Sequence, residues 1–239
     1  ENTVTVSDDV AELISVGLKY YQISNGKFDI TVAPLSDLWD FKSEDASVPN
    51  SDDIAEALSK VGADQLSLSG NTLTFASDDV MIDLGALVKG FAADQMKIYL
   101  TENGVTSGLL NLGGNVLTIG SRPDGSDWSI GIQKPFDDND PIIDVVKVKD
   151  QTVVSSGIYE RYFKQDGVIY HHILDPDTGY PIQNDLWGLS IICDSSLTGD
   201  ALSTTCMTLG YEKANDLIQS LDQTEAEFIL DDCKLKKTF

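Results

Sequence analysis

Apolar residues recur along this chain at helical spacing near its start and middle and at a two-residue alternation over much of its centre. Between residues 7 and 24, Val10, Leu13, Ile14, Leu18 and Tyr21 fall on one stripe of a helix, with Ser7 placed to cap it. Residues 26–34 read as a loop that leads into Leu35-Ser36-Asp37-Leu38-Trp39-Asp40-Phe41. Ser51 is placed to cap a second helix over residues 52–61, which stops at Gly62. Leu66 and Leu68 alternate with Leu73 and Phe75 across Ser69-Gly70-Asn71, a hairpin signature. A further amphipathic helix starts near Lys89, runs over 91–103 and meets a stop at Gly104.

From residue 107 the pattern turns to strands. Residues 109–119 are broken by Gly113-Gly114, 128–132 alternate, and 142–148, 153–154, 169–174 and 189–193 follow. Helices over 198–209 and 212–221 and a short strand at 227–230 close the chain. Helices and strands mix without strict alternation, so the expected class is α+β with largely antiparallel sheets and packed helices. The 239 residues make one large domain or two small ones, enough for a full core and a ligand cleft. The one linker-like stretch is the acidic segment 136–141.

Charge narrows the function. Sixteen Lys and Arg against 39 Asp and Glu give a net charge of −23, a surface that repels nucleic acid and anionic lipid. Any phosphate ligand must then be shielded by a few placed cations or a metal. Cys193, Cys206 and Cys233 show no CxxC spacing, and the first two sit in apolar runs as small buried hydrophobes. No apolar run reaches the roughly 18 residues that a membrane-spanning helix requires. The chain opens on Glu1-Asn2-Thr3 without a signal sequence, so a leader is expected to have been removed or more N-terminal sequence to precede it.

Five segments carry candidate chemistry. Asp83-Leu84-Gly85-Ala86-Leu87-Val88-Lys89-Gly90 packs an acid, two glycines and a lysine into a strand-to-helix junction. Such glycines let the backbone come close to an anion, the first helical N–H groups face it, and Lys89 adds a mobile positive charge. The plainer reading is a tight turn with Asp83 as a helix cap. Asp200 and Thr204 lie four apart on a helix and share a face, which suits a hard cation such as Mg²⁺ or, more simply, an acidic first turn with a back-bonding hydroxyl. His171 and His172, the chain's two histidines, are adjacent on a strand entering the Asp175-Pro176-Asp177-Thr178-Gly179 turn, so at most one can face a given cleft. Asn111-Leu112-Gly113-Gly114-Asn115 interrupts a strand where another group approaches the backbone, or where the strand merely bulges. Ser155-Ser156-Gly157 sets small hydroxyls before Tyr159-Glu160-Arg161-Tyr162-Phe163.

In order, these segments resemble one family. Gly26-Lys27-Phe28-Asp29-Ile30-Thr31-Val32-Ala33-Pro34-Leu35, Trp39, the Asp83–Gly90 segment, Asn111–Asn115, Ser155-Ser156-Gly157-Ile158-Tyr159-Glu160-Arg161, His172–Gly179 and Asp200–Thr204 follow the pattern of the ApbE family, the FAD:protein FMN transferases. The resemblance covers essentially the whole chain, 1–239, as a single domain apparently lacking the family's N-terminal segment. It implies a T-fold-like α+β architecture with a ligand cleft between lobes. It also implies FAD as substrate, Mg²⁺ as metal, and transfer of FMN to a Thr or Ser hydroxyl of a target flavoprotein with release of AMP. On that likeness Phe28, Asp29, Asp83 and Lys89 border or hold FAD, with Gly113, Gly114, Ser156 and Gly157. Mg²⁺ would be held by the Ala86 carbonyl, Asp200 and Thr204, and His172 would be the base beside the acceptor hydroxyl. An extracytoplasmic location, with membrane attachment through an N-terminal lipid anchor, is expected on the same basis.

Two departures stand out, Val88 where Ala is common and Ser155 where Thr is common. The absent segment bears on the balance of transfer and hydrolysis. Two other readings therefore remain open at the level of sequence: an FAD pyrophosphatase that gives FMN and AMP, and a catalytically idle FAD-binding protein.

Overall fold

The computed structural model describes residues 2–137, 139 and 141–239. Glu1, and Asp138 and Asp140 of the acidic 136–141 stretch, lie outside the described residues. Two units form, one from residues 1–85 and 160–183, the other from 86–159 and 184–239.

In the first unit, Ser7 accepts the Val10 N–H and caps helix α1 (Asp8–Ile23) as its sequence indicates. Its buried face is Leu13, Ile14, Gly17 and Tyr20, so the stripe is turned from the expected one and Leu18 and Tyr21 are only half-buried. Gly17 explains the turn, because a Cβ there would lie 2.6 Å from Ile30 Cγ2, and helix and loop close on each other at that point. Ala33–Trp39 forms a short helix, α2, where the sequence suggests loop up to residue 34. Pro34 sits in its first turn, where a missing N–H costs nothing.

Helix α3 (Ser51–Leu58) is capped by Asn50 rather than Ser51. The Asn50 side chain accepts both the Asp52 and Asp53 N–H groups, which draws the start back by one residue. Its end also comes early, because the Lys60 and Val61 N–H groups bond three residues back in a tightened last turn. Strands β1 (Thr3–Thr5), β2 (Leu66–Ser69) and β3 (Thr72–Phe75) make a sheet in the order β1-β3-β2; the hairpin is as expected and β1 is an addition. After the chain has passed through the second unit, Tyr162–Gln165 (β9 in chain order) and Val168–His171 (β10) complete the first as an antiparallel ribbon. The core of this unit is Leu35, Trp39, Ile54, Ala57 and Leu174, with the rings of Trp39, Phe41, Phe163 and Tyr170 stacked beside it.

The second unit is built on one six-stranded antiparallel sheet. Its strands are β4 (Gly108–Asn111), β5 (Asn115–Ile119), β8 (Thr152–Gly157), β11 (Leu186–Cys193), β12 (Glu225–Leu230) and β13 (Leu235–Lys237), in the order β13-β12-β11-β8-β5-β4. A separate ribbon of β6 (Trp128–Gln133) and β7 (Ile142–Val148) packs its Ile130, Ile132, Val146 and Val148 against Val153, Ile192 and Ile229 of that sheet. Helices α4 (Val88–Glu102), α5 (Ser196–Leu209) and α6 (Tyr211–Gln219) complete the unit. Val153 and Val154 are both buried although neighbouring strand positions point to opposite faces, so β8 is covered on both sides. Val154 meets α5, where a Cβ on Gly199 would lie 2.6 Å from Val154 Cγ2. Helix α5 is buried nearly all round, with Asp200, Ser203 and Thr205 among its buried residues, which marks it as the central helix of the unit. The α+β class with antiparallel sheets is what the sequence predicts.

Candidate functional site

Helix α4 begins without a side-chain cap. Asp83 does not supply one: its Oδ1 accepts the Gly85 N–H at 2.7 Å, closing a tight turn two residues on, while its own N–H donates to Ile30. The helix instead finds a partner in α5. The Gly90 N–H donates to Asp200 Oδ2 at 2.5 Å rather than back to the Ala86 carbonyl. Gly90 permits this because a Cβ there would lie 2.2 Å from the Ser196 carbonyl oxygen. The close approach at this glycine is made to the backbone of another helix.

Asp200 is 4% exposed and accepts a second hydrogen bond at Oδ1, from the Asn115 amide at 2.9 Å. Burial pushes its carboxyl above the usual range, and the Asn115 and Gly90 donors and the Lys89 charge oppose that rise. Thr204 is one turn along α5 and half-buried. The Ser203 and Thr208 hydroxyls bond to carbonyls three residues earlier, whereas that of Thr204 makes no such bond among the described residues. Lys89 is exposed and its Nζ donates to the Gly113 carbonyl at 3.1 Å. Gly113 and Gly114, at φ +63° and +87°, form the turn that joins β4 to β5, which replaces the expected interrupted strand. The Gly114 carbonyl accepts the Ser155 N–H. Ser156 donates to Ser203, which donates to the Asp200 carbonyl, and Gly157 lies under the Tyr159 ring.

These groups, Ala86, Lys89, Gly113, Gly114, Ser156, Gly157, Asp200 and Thr204, all belong to the second unit. The donor set offered by Ala86, Asp200 and Thr204 is a carbonyl, a carboxylate and a hydroxyl. The Ala86 carbonyl, one residue before the N-cap of α4, accepts no backbone hydrogen bond among the described residues, and the Thr204 hydroxyl is likewise unspent among them. Hard oxygen donors with one carboxylate fit Mg²⁺, which keeps waters or phosphate oxygens in the rest of its shell. Among the described residues no three His, Cys, Asp or Glu side chains gather to hold a metal.

The first unit carries Phe28, Asp29, Asp83 and His172. Phe28 is buried, its ring 6.0 Å from that of Tyr20. Asp29 Oδ1 accepts the Thr31 N–H and hydroxyl, at 2.7 and 2.6 Å, and Oδ2 accepts the Ala63 N–H at 3.0 Å. That carboxylate staples two loops together, and burial holds its pKa above the usual range against the Thr31 donors. The expected strand over 169–174 ends at His171, because the His171 ring turns in to bridge the next turn: its Nε2 meets the Ile182 carbonyl at 2.9 Å and its Nδ1 accepts the Ile173 N–H. His171 is 3% exposed. His172 is half-buried just past the strand end, with its backbone N–H on the Arg161 carbonyl. Lys27 pairs with Asp175 and Asp177 at 2.7 and 2.8 Å, which ties the following turn to the 26–34 loop.

The sequence pattern of the ApbE family matches residues 1–228. This chain belongs to the ApbE family. It is 37% identical over 228 residues to the FAD:protein FMN transferase of Klebsiella pneumoniae (strain 342), covering 95% of this chain and 70% of that protein. The FAD:protein FMN transferase of Treponema pallidum is 34% identical, over 98% of this chain and 68% of its own length. Among solved structures, the ApbE protein of Thermotoga maritima aligns with a TM-score of 0.86 at 32% identity, over 98% of this chain and 77% of that one. The flavin transferase ApbE of Vibrio cholerae aligns with a TM-score of 0.87 at 28% identity, over 98% and 75%.

Three residues that shape the site carry little or no local sequence signal. Asn115 has a visible one, an amide opening the apolar strand Val116-Leu117-Thr118-Ile119. Ser196 looks like an ordinary helix-start residue. Asp94 accepts the Ser195 hydroxyl and the Ser196 and Leu197 N–H groups, capping α5 from α4, and nothing local to Asp94 reveals that.

Proposed function

We propose that this chain transfers the FMN half of FAD to a Thr or Ser hydroxyl of a target flavoprotein, releasing AMP, with Mg²⁺ held by the Ala86 carbonyl, Asp200 and Thr204. The observation that carries this is the Gly90–Asp200 bond, which orients a buried carboxylate beside the start of α4 inside a chain of the ApbE family. Mg²⁺, when bound, neutralises phosphate oxygens and stabilises the charge that develops as a pyrophosphate breaks. The Lys89 ammonium, in the first turn of α4, adds positive potential for the diphosphate. The family likeness gives Gly113, Gly114, Ser156 and Gly157 to the flavin nucleotide, and Phe28, Asp29 and Asp83 of the first unit as well.

Of the two histidines, His171 has both ring nitrogens engaged and its pKa pushed down to about 4 by burial, so it is fixed as a neutral structural group. His172 takes the acceptor hydroxyl proton at a ring nitrogen, a contribution of about 10²–10⁴-fold for a well-placed base.

The test is incubation with FAD, Mg²⁺ and a candidate acceptor domain, followed by denaturing electrophoresis read by flavin fluorescence. Flavin retained on the acceptor with AMP in solution is the expected result, and Asp200→Ala is expected to abolish AMP release while the protein stays folded. Free FMN with no labelled acceptor would replace transfer by hydrolysis; wild-type turnover in Asp200→Ala would remove the metal site from the reaction.

A further inference from the structure

Asp200 is gripped at both carboxylate oxygens, and one grip is the end of a longer chain. Asn115 is 1% exposed at the start of β5; its amide nitrogen donates to Asp200 Oδ1 at 2.9 Å, and its Oδ1 accepts the Ser196 hydroxyl at 2.6 Å. Ser196 Oγ lies 2.9 Å from Thr152 Oγ1, and Thr152 also reaches the Val116 carbonyl at 3.0 Å. A hydroxyl has one proton. Ser196 spends its proton on Asn115, so toward Thr152 it can only accept, and the Thr152 proton is shared between Ser196 and Val116. The chain therefore has one direction, Thr152 to Ser196 to Asn115 to Asp200.

We propose that Asn115 is a positioning residue, locked by the Thr152–Ser196 hydroxyl chain, that holds the Asp200 carboxylate in the orientation a divalent cation needs. The proposal rests on the reading of Asp200 as an Mg²⁺ ligand. A flipped Asn115 amide would set its oxygen against the Asp200 carboxylate, which only accepts, so the carboxylate fixes the amide and with it the direction of the hydroxyl chain. With Oδ1 fixed from β5 and Oδ2 fixed by the Gly90 N–H from α4, the plane of the carboxylate is set before any metal arrives. The lone pairs not used by these donors then present a fixed geometry. An apolar trio of the same shape would leave the buried Asp200 Oδ1 without its donor, the costly way to lose a hydrogen bond. Orientation of Asp200 is what the polar chain adds.

The test compares wild type with Asn115→Leu and Ser196→Ala. The readout is the Mg²⁺ concentration that gives half-maximal FAD binding, from flavin fluorescence anisotropy. Melting temperature without Mg²⁺ and AMP release across the same Mg²⁺ range accompany it. Asn115→Leu is expected to need about 10–100-fold more Mg²⁺, the usual cost of losing a group that orients a metal ligand. Its kcat recovers at saturating Mg²⁺. Ser196→Ala shifts the midpoint less, in the same direction, and decides the matter if Asn115→Leu does not fold, because it removes only a hydroxyl and keeps the backbone bond to Asp94. Folded variants that titrate at the wild-type Mg²⁺ concentration, with only the melting temperature lowered, overturn the proposal. A wild type whose FAD binding ignores Mg²⁺ overturns the metal reading of Asp200 and this inference with it.

Discussion

Gly90→Ala is the most severe small change this fold offers near the site. The added Cβ would lie 2.2 Å from the Ser196 carbonyl oxygen, 2.5 Å from the Ser196 carbonyl carbon and 2.7 Å from the Leu197 nitrogen. All three are backbone atoms at the start of α5, so no side chain can swing away. Relief to an ordinary contact of about 3.5 Å requires α4 and α5 to separate locally by about 1 Å. Overpacking of this kind costs about 1–3 kcal/mol. The same movement lengthens the Gly90–Asp200 hydrogen bond, and loss of a bond to a charged group adds about 1.5–3 kcal/mol. Alanine returns about 1 kcal/mol through its better helix propensity. The net expectation is a loss of about 2–5 kcal/mol, read as a lower urea midpoint at unchanged slope. AMP release should fall with it even where the variant is fully folded, because the displaced N–H no longer orients Asp200. A Gly90→Ala protein within about 1 kcal/mol of wild type that turns FAD over normally would refute the tight α4–α5 contact as the frame of the site.

Two buried titratable groups predict opposite pH dependences. His171 sits at about 4 in the folded chain against an ordinary 6.5, so the unfolded chain takes up a proton first as pH falls. Stability should drop by up to about 3 kcal/mol between about pH 6.5 and pH 4; unfolding of His171→Gln at both ends of that window should lack this drop, and an identical slope in both proteins refutes the assignment. Glu227, fully buried, is pushed up to about 6 by burial, with Asp144 adding to the rise and Lys237 opposing it. Here the folded chain favours the proton, so the contribution declines as pH rises from about 4.5 through 6, by up to about 2 kcal/mol. Glu227→Gln should be at least as stable as wild type at pH 7 and no more stable at pH 4; a loss of stability at pH 7 would mean that the Lys237 ion pair at 2.7 Å outweighs burial.

Local signals are readable wherever one residue decides an element. Ser7 caps α1, Gly70 at φ +56° turns the β2–β3 hairpin, and Gly104 at φ +87° follows α4, all as residue type dictates. The misses have a common cause. Asn50 wins the α3 cap from Ser51 because its longer side chain reaches two N–H groups, a competition that composition does not rank. The strand expected over 169–174 stops at His171 because that ring bonds to Ile182, eleven residues away. For the site, Asp200 and Thr204 are legible as an i, i+4 pair, whereas Asn115, Ser196 and Asp94 act through contacts 81 to 103 residues distant along the chain. Periodicity cannot report those.

The charge of −23 and the proposed diphosphate ligand look incompatible, and the charge arrangement in the second unit would reconcile them. Lys89 is held against the Gly113 carbonyl, not against a carboxylate, so its charge is not cancelled by an ion pair among the described residues. Lys97, two turns on along the same helix, is by contrast neutralised by Asp150 at 3.0 Å. Asp94, the acid nearest to these groups on α4, is consumed by three donors at the start of α5, and Asp200 by Gly90 and Asn115. Each of these carboxylates close to the start of α4 thus faces protein donors, while the lysine there faces a neutral carbonyl. Local potential at that point is set by this arrangement and not by net charge, since exposed charges beyond about 8–10 Å are screened at physiological salt. Mg²⁺ held as proposed would add one more positive centre there, placed by an oriented carboxylate.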